Sequence, residues 1–237
     1  MNFTASKYQL IKDRWSITKQ LFIASAFIFG FFIILKIFNS KFQFSDNIQD
    51  AFFPFILLGF ILFLLSLVYQ FFDFERIENK KDGTVTFNEN EIVVDYNKII
   101  KYQELIDLEI RIEAYYGERI NIILSNPNEK KSLGIRNHMT LVTKDNILKF
   151  NFKLENELHR KRLEKSIFNL ILSEKVVNVD LKKQINLITK EYKETSGFKN
   201  FMIKQILEKK INCTEGLLLY GYKTDVEAAD LRKKYCS

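Results

Sequence analysis

Two long apolar stretches dominate the hydropathy pattern of the first third of the chain. The first contains a single charged residue, Lys36 near its end, and the second contains none. A helix rises about 1.5 Å per residue, so roughly 20 apolar residues cross a hydrocarbon core about 30 Å thick. The pattern therefore predicts two transmembrane helices over residues 21–38 and 51–72, joined into a hairpin over 21–72.

After Gly83 the pattern changes to an alternation of apolar and polar residues. Runs of period two, separated by Asn, Asp and Gly, are typical of antiparallel hairpins that bury one face. The predicted strands lie within 85–87, 92–94, 99–102, 108–112, 120–124, 139–143 and 148–152. The last strand leads directly into a predicted amphipathic helix over Glu155–Leu172, which has acidic residues in its first turn.

Helical spacing returns in the last sixty residues. Thr224 and Glu227 have the spacing of a capping box, which predicts a helix that begins after Thr224. The segment "GLLLYGY" is compatible with either a strand or a helical turn. The domain organisation that we predict is a cytoplasmic N-terminal tail (1–20), the hairpin, a cytosolic β module (79–174) and a small helical C-terminal subdomain (175–237).

The basic residues that flank the apolar stretches predict an orientation. Four lie in residues 1–20 and three in 73–92, whereas residues 39–50 contain only Lys41. Short cytoplasmic flanks carry an excess of Lys and Arg, so we expect an inner-membrane protein with two spans and both termini in the cytoplasm. Neither span carries an ionisable group at its centre, the usual mark of an ion path. Homo-oligomerisation through the helices, with or without a pore, stays open.

The remaining composition excludes several functions. The net charge is +7, but much of the excess flanks the hairpin, so we do not expect nucleic acid as a partner. Cys213 and Cys236 have neither metal-ligand spacing nor a disulfide framework, and we interpret them as free thiols of a reducing compartment. His138 and His159 are too few for a histidine metal site. Because no catalytic or phosphate-binding motif is present, we expect no enzyme, no catalytic residues, no metal and no cofactor.

The β module resembles the pleckstrin-homology-like (PH-like) family, in its bacterial version that follows paired membrane helices. The resemblance rests on "GTVTFNENEIVVDY" and on "LVTKDNILKFNFKLENELHRKRLEKSI", which have the order of strands followed by one helix. It implies an α+β fold in which an antiparallel β-barrel or sandwich is capped by a helix. Eukaryotic relatives bind phosphoinositides through a basic first hairpin. Here that hairpin carries Glu89, Glu91 and Asp95 and no base, which argues against such a site.

A basic segment further along the module is the candidate ligand-binding site. Residues 83–129 hold four bases and nine acids, whereas residues 130–153 hold six bases and one acid. The candidate residues for an anion-binding face are Lys130, Lys131, Arg136, Lys144 and Lys149. The alternative is a solvated surface whose charges offset those of the acidic part.

Two functions from different classes are compatible with these features. The first is a non-enzymatic interaction or sensing module, tethered to the membrane, that binds an unknown protein partner or a small anionic ligand. It predicts that residues 79–237 fold as a soluble fragment. The second is a two-helix membrane effector of antiviral defence, whose cytosolic β-barrel binds a cyclic nucleotide and whose helices then oligomerise and disrupt the membrane. An accessory subunit of a larger membrane complex is a third alternative.

Overall fold

The computed structural model of the chain describes residues 2–42, 46–120 and 127–236, and the side chains of 39–51 fall outside this description. Within these limits the protein is a mixed α+β structure with two long apolar helices and a seven-stranded antiparallel sheet. The predicted strand over 120–124 lies almost entirely outside the described residues.

The described strands are β1 (Phe3–Arg14), β2 (Arg76–Phe87), β3 (Glu91–Val94), β4 (Lys98–Lys101), β5 (Asp107–Arg111), β6 (Asn137–Val142) and β7 (Ile147–Phe152). The described helices are α1 (Ile17–Phe42), α2 (Asp46–Tyr69), α3 (Glu157–Leu172), α4 (Leu181–Asn186), α5 (Lys190–Lys193), α6 (Ser196–Leu207), α7 (Cys213–Tyr220) and α8 (Asp225–Tyr235). The strand order is β4-β3-β2-β1-β7-β6-β5, so the sheet is open, with β4 and β5 at its edges.

The expected N-terminal tail is instead strand β1, at the centre of the sheet. It lies between β2 and β7, and Lys7 and Tyr8 pair with Phe152 and Asn151 of β7. Phe3 is buried among core residues of the sheet. The two apolar helices are therefore inserted between the first and second strands, and do not precede a complete β module.

A buried cation explains why β1 is hard to recognise as a strand. The Lys7 side chain is 8% exposed, and its Nζ lies 2.6 Å from Asp95 Oδ2 and 5.2 Å from the centre of the Phe150 ring. Asp95 Oδ1 also accepts a hydrogen bond from the Thr84 N–H, at 3.2 Å. A side chain at Gly83 would collide with this carboxylate, since an added Cβ would lie 1.9 Å from Oδ1. An ammonium can be buried here because it keeps a charged partner.

Helices α1 and α2 are both long and apolar enough to cross a membrane. The qualifying windows are Ile17–Phe38 and Phe52–Tyr69, each with a mean hydropathy of 2.5, and few of their side chains are buried within the protein. The second helix begins at Asp46, five residues earlier than the predicted span, and contains Pro54 within it.

The chain divides into two compact units. The unit that we call the sheet unit comprises Met1–Tyr8, Lys81–Ile112 and Asn137–Ser237, and the hairpin unit comprises Gln9–Lys80 and Glu113–Arg136. The long strands β1 and β2 each contribute residues to both units. Segment 113–136, which lies between β5 and β6 in sequence, thus belongs with the two apolar helices.

The last sixty residues are helical, as predicted, and "GLLLYGY" contributes to α7. The Thr224 cap is confirmed, because its Oγ1 accepts a hydrogen bond from the Glu227 N–H at 3.2 Å. The interpretation of the cysteines as separate thiols is wrong. Cys213 and Cys236 are joined in a disulfide, with Cα atoms 5.8 Å apart. Cys213 begins α7 and Cys236 follows α8, and these two helices pack against each other.

An ion cluster next to the C-terminal helices predicts acid sensitivity. Hydrogen bonds from Lys204 and then Lys210 lower the pKa of Glu174 from 4.5 to about 2. A depressed folded-state pKa stabilises the fold above pH 4.5, and this contribution is lost as the pH falls from 4.5 towards 2. Because the cluster is near the surface, we expect a loss of about 1 kcal/mol or less.

Thermal unfolding of the full chain at pH 6 and pH 3 measures this effect. Glu174→Gln is expected to lower the unfolding temperature at pH 6 and to reduce its drop between the two pH values. The matched control is Glu215→Gln, which removes a single exposed ion pair with Lys182. Equal changes in both variants would contradict the prediction.

Candidate functional site

Strand β4 gives the sheet unit an unpaired edge. It pairs with β3 on one side, with Ile99 opposite Val93 and Ile100 opposite Ile92, and is the last strand in the described order. An edge strand presents unpaired backbone N–H and C=O groups, which can pair with another chain. The Ile99 side chain is 57% exposed, although apolar residues of this size are usually buried.

The turn that follows β4 is anchored to the core. Tyr102 is buried, and its hydroxyl donates a hydrogen bond to the Asn88 carbonyl oxygen at 2.8 Å. Burial, and secondarily the charge of Glu91, raises the pKa of Tyr102 well above its ordinary value, so the hydroxyl stays a donor. Glu104 Oε2 accepts from the Lys101 N–H at 3.3 Å. These contacts fix the direction in which the chain leaves β4.

The tip of the β6–β7 hairpin forms the opposite wall of the site. As predicted from the Asp145-Asn146 pair, a tight turn joins the two strands. The Thr143 N–H donates to the Asn146 carbonyl oxygen at 2.9 Å, and the Asn146 N–H donates to Thr143 Oγ1 at 3.1 Å. The Ile106 N–H donates to the Val142 carbonyl oxygen at 2.8 Å, which joins the turn after β4 to β6.

A cavity of about 610 Å³ lies between these two walls. Its lining combines apolar, amide and charged side chains: Lys98, Ile99, Ile100, Gln103, Glu104, Ile106, Leu141, Thr143, Lys144, Asp145, Asn146, Leu148 and Asn178. Ligand sites are commonly about 300–1,000 Å³, with apolar walls and a few convergent polar groups. The volume falls within this range, and Lys98 and Lys144 are the two cations of the lining.

The five predicted site residues are divided between the two units. Lys144 lines the cavity, and Lys149 is exposed on β7. The other three belong to the hairpin unit, where Lys130 is buried and Lys131 lies over the rings of Phe72 and Phe74. An anion-binding role for the five residues stays a prediction, and the structure does not place them in a single unit.

Arg136 has ordered acidic partners in the hairpin unit. Its Nε lies 2.7 Å from Glu75 Oε2, and its Nη2 lies 2.6 Å from Asp13 Oδ1. Glu75 is buried, and its Oε1 also accepts hydrogen bonds from Ser132 Oγ and from the Leu133 N–H, both at 2.8 Å. Three donors therefore converge on one carboxylate, which is the arrangement of a structural ion pair.

Comparison with known proteins does not assign the fold or the site. No protein-family model, curated protein or solved structure matches this chain. The PH-like resemblance therefore stays a prediction. Sequence reasoning missed Lys98 and Ile99 as site residues. The apolar pair at Ile99 predicted the strand, and its short length and the flanking Lys98 and Lys101 were the local signal that it would be an edge.

Proposed function

We propose that this chain is a non-enzymatic interaction module of PH-like architecture, anchored in a bacterial inner membrane. In this proposal, α1 and α2 span the bilayer and the sheet lies in the cytoplasm. The partner is an extended protein segment that adds to the free edge of β4. The observation that carries the proposal is the unpaired β4 edge beside the cavity, with Ile99 exposed.

The connectivity of the sheet supports the topology. Strand β1 enters the hairpin and β2 leaves it, and these two strands are neighbours in one sheet. If both helices span the membrane, the chain must enter and leave on the same side. The excess of Lys and Arg in the two flanks favours the cytoplasmic side. Both termini then lie in the cytoplasm, where the neighbouring Cys213 and Cys236 would be kept reduced.

The β4 edge suits strand addition for two reasons. Main-chain hydrogen bonds to a free edge give affinity, and pockets for alternate side chains give specificity. The cavity beside β4 supplies such a pocket, with Ile99 and Ile106 as exposed apolar contacts and Gln103 and Asn178 as amide contacts. Lys98 and Lys101 stand at the two ends of β4, as charged side chains do on many free edges, and Ile99 between them is exposed.

Site-specific photo-crosslinking of the full chain in membranes tests this proposal. A photoreactive phenylalanine analogue at position 99 is expected to give one discrete protein adduct. The same analogue at position 226, an exposed site on α8, is expected to give none. Ile106→Lys should lower the adduct yield by ~5-fold, since it replaces an exposed apolar contact of the cavity by a charge.

Two further results complete the test. Hydrogen exchange of the β4 amides should slow in the presence of the crosslinked partner, because the added strand pairs with them. Adducts of equal yield at positions 99 and 226, or a yield that Ile106→Lys leaves unchanged, would reject strand addition at this edge.

The second candidate is the ligand-gated membrane effector. It is favoured by one observation, the presence of Lys98 and Lys144 in a cavity large enough for a small anionic ligand. A thermal-shift panel of cyclic di- and trinucleotides on the full chain separates the two functions. A ligand at 100 times its Kd stabilises the folded state by about 2.7 kcal/mol. A shift that Lys98→Gln and Lys144→Gln abolish would favour the effector.

A further inference from the structure

An apolar groove lies on the outer surface of the two long helices, near the ends that connect to the strands. It has a volume of about 370 Å³ and is lined by Leu21 of α1, by Leu65, Val68 and Tyr69 of α2, and by Phe72. Val68 and Phe72 are largely exposed. The groove thus presents an uninterrupted apolar surface to the surroundings of the two helices.

A cation is held at the rim of this groove. Lys131 Nζ lies 6.0 Å from the centre of the Phe72 ring, which lines the groove, and 5.4 Å from that of Phe74. Phe74 in turn stacks on Tyr116, with ring centres 5.0 Å apart. In the described part of the chain the Lys131 ammonium contacts aromatic faces and forms no ion pair. Its donors are therefore free to bind an anion.

The backbone of Lys131 is fixed relative to the end of α2. Its N–H donates to the Asp73 carbonyl oxygen at 3.1 Å, and its carbonyl oxygen accepts from the Glu75 N–H at 2.9 Å. Asp73 itself contacts α1, since its Oδ2 accepts from the Thr18 N–H at 2.7 Å. These hydrogen bonds place the Lys131 backbone at the base of both helices, and its side chain extends over the Phe72 and Phe74 rings beside the groove.

We infer that the groove and Lys131 form a binding site for an anionic phospholipid of the cytoplasmic leaflet. An acyl chain occupies the apolar groove, and the lipid phosphate binds the Lys131 ammonium. Lys19, whose Nζ lies 5.7 Å from the centre of the Trp15 ring, is a second cation on the same end of α1. This inference rests on the proposed membrane placement of the hairpin.

The chemistry of the site favours a lipid over other occupants. A free phosphate would use Lys131 but leave the groove empty, and an apolar helix of a second copy would fill the groove but leave the ammonium without an anion. An anionic phospholipid satisfies both parts. Each Lys or Arg close to an anionic membrane surface contributes about 1 kcal/mol of attraction.

Fluorescence of Trp15, the single tryptophan of the chain, supplies the test. The full chain is reconstituted in phosphatidylcholine vesicles that contain either brominated phosphatidylglycerol or brominated phosphatidylcholine, whose bromines quench a nearby indole. We expect phosphatidylglycerol to be preferred by ~5-fold, the ratio that corresponds to about 1 kcal/mol. Lys131→Gln should reduce the preference to about 1, whereas Lys149→Gln, an equal change of charge in the sheet unit, should leave it unchanged.

Different experimental outcomes would contradict the lipid site and the membrane placement. Equal quenching by the two lipids, or an equal loss of preference in both lysine variants, would overturn the site. A preference that disappears as the protein-to-lipid ratio rises would assign the groove to a second copy of the chain, and would overturn it as well. Absence of quenching by either lipid would instead refute the membrane placement, and with it the proposed function.

Discussion

A fragment that begins at residue 79 is expected to fail to fold. It lacks β1, so β2 and β7 each lose their neighbour at the centre of the sheet, and the core loses Phe3. Asp95 loses its buried partner Lys7, and His159 of α3 loses its contact with the Thr4 carbonyl oxygen, at 2.9 Å. We expect the fragment 79–237 to show no cooperative thermal transition by circular dichroism and to aggregate during size-exclusion chromatography.

A second shortened protein distinguishes the loss of β1 from the loss of the two apolar helices. Residues 2–14 are joined to residues 76–236 through Asn-Gly, a two-residue turn that suits neighbouring antiparallel strands. This protein is expected to be soluble and to unfold cooperatively. Segment 113–136 loses its backbone contacts with Gln70 and Asp73 and should exchange its amides rapidly. The control is the same shortened protein with the order of residues 3–14 scrambled. Cooperative unfolding of the fragment 79–237 would refute the central role of β1.

Replacing Glu75 by Ala is expected to destabilise the hairpin unit strongly. The change removes the acceptor for Ser132 Oγ, for the Leu133 N–H and for Arg136 Nε. Breaking a buried ion pair commonly costs 3–5 kcal/mol, but Arg136 keeps Asp13 as a partner, so we expect a loss of about 2–4 kcal/mol. Thermal unfolding of the full chain in detergent measures it.

The matched control is Glu78→Ala in the same unit. Glu78 accepts from Arg14 Nη2 at 2.7 Å, and both side chains are well exposed. An exposed pair contributes about 0–1 kcal/mol, so this variant should unfold close to the unchanged protein. Similar losses in the two variants would show that burial of Glu75 is not the decisive factor. If the three donors act as a unit, Glu75→Ala and Arg136→Met should be non-additive.

The elements of the fold that could be predicted are those whose structure follows from the pattern of apolar and polar residues within the element itself. Val85 and Phe87 alternate with threonines and are buried, so β2 was predictable in its second half. In β1 the buried positions include Lys7, which interrupts the hydrophobic alternation. Its partner Asp95 is distant in the sequence, and no local pattern connects the two.

The candidate site was predictable only in part, for a similar reason. Lys144 lies in a hairpin whose turn residues are recognisable, whereas the environments of Lys131 and Arg136 depend on residues about 60 positions earlier in the chain. The same holds for Cys213 and Cys236, whose approach depends on how α7 packs against α8. The sequence shows where the basic residues lie, but it does not show which of them form ion pairs with acidic residues in the fold.

The position of the hairpin inside the sheet has a consequence for biosynthesis. During translation β1 is synthesised before either long helix. Its two neighbours in the sheet, β2 and β7, are synthesised after both helices. At about 5–20 residues per second, β1 waits ~3–12 s for β2 and ~7–27 s for β7. During this interval β1 is a nascent strand without a neighbour to pair with. In the proposed topology, the chain returns to β1 only after both helices have been inserted in the membrane. Completion of the sheet would then depend on correct insertion, because a molecule whose second helix is not inserted would keep β2 on the opposite side of the membrane and leave β1 exposed to proteolysis.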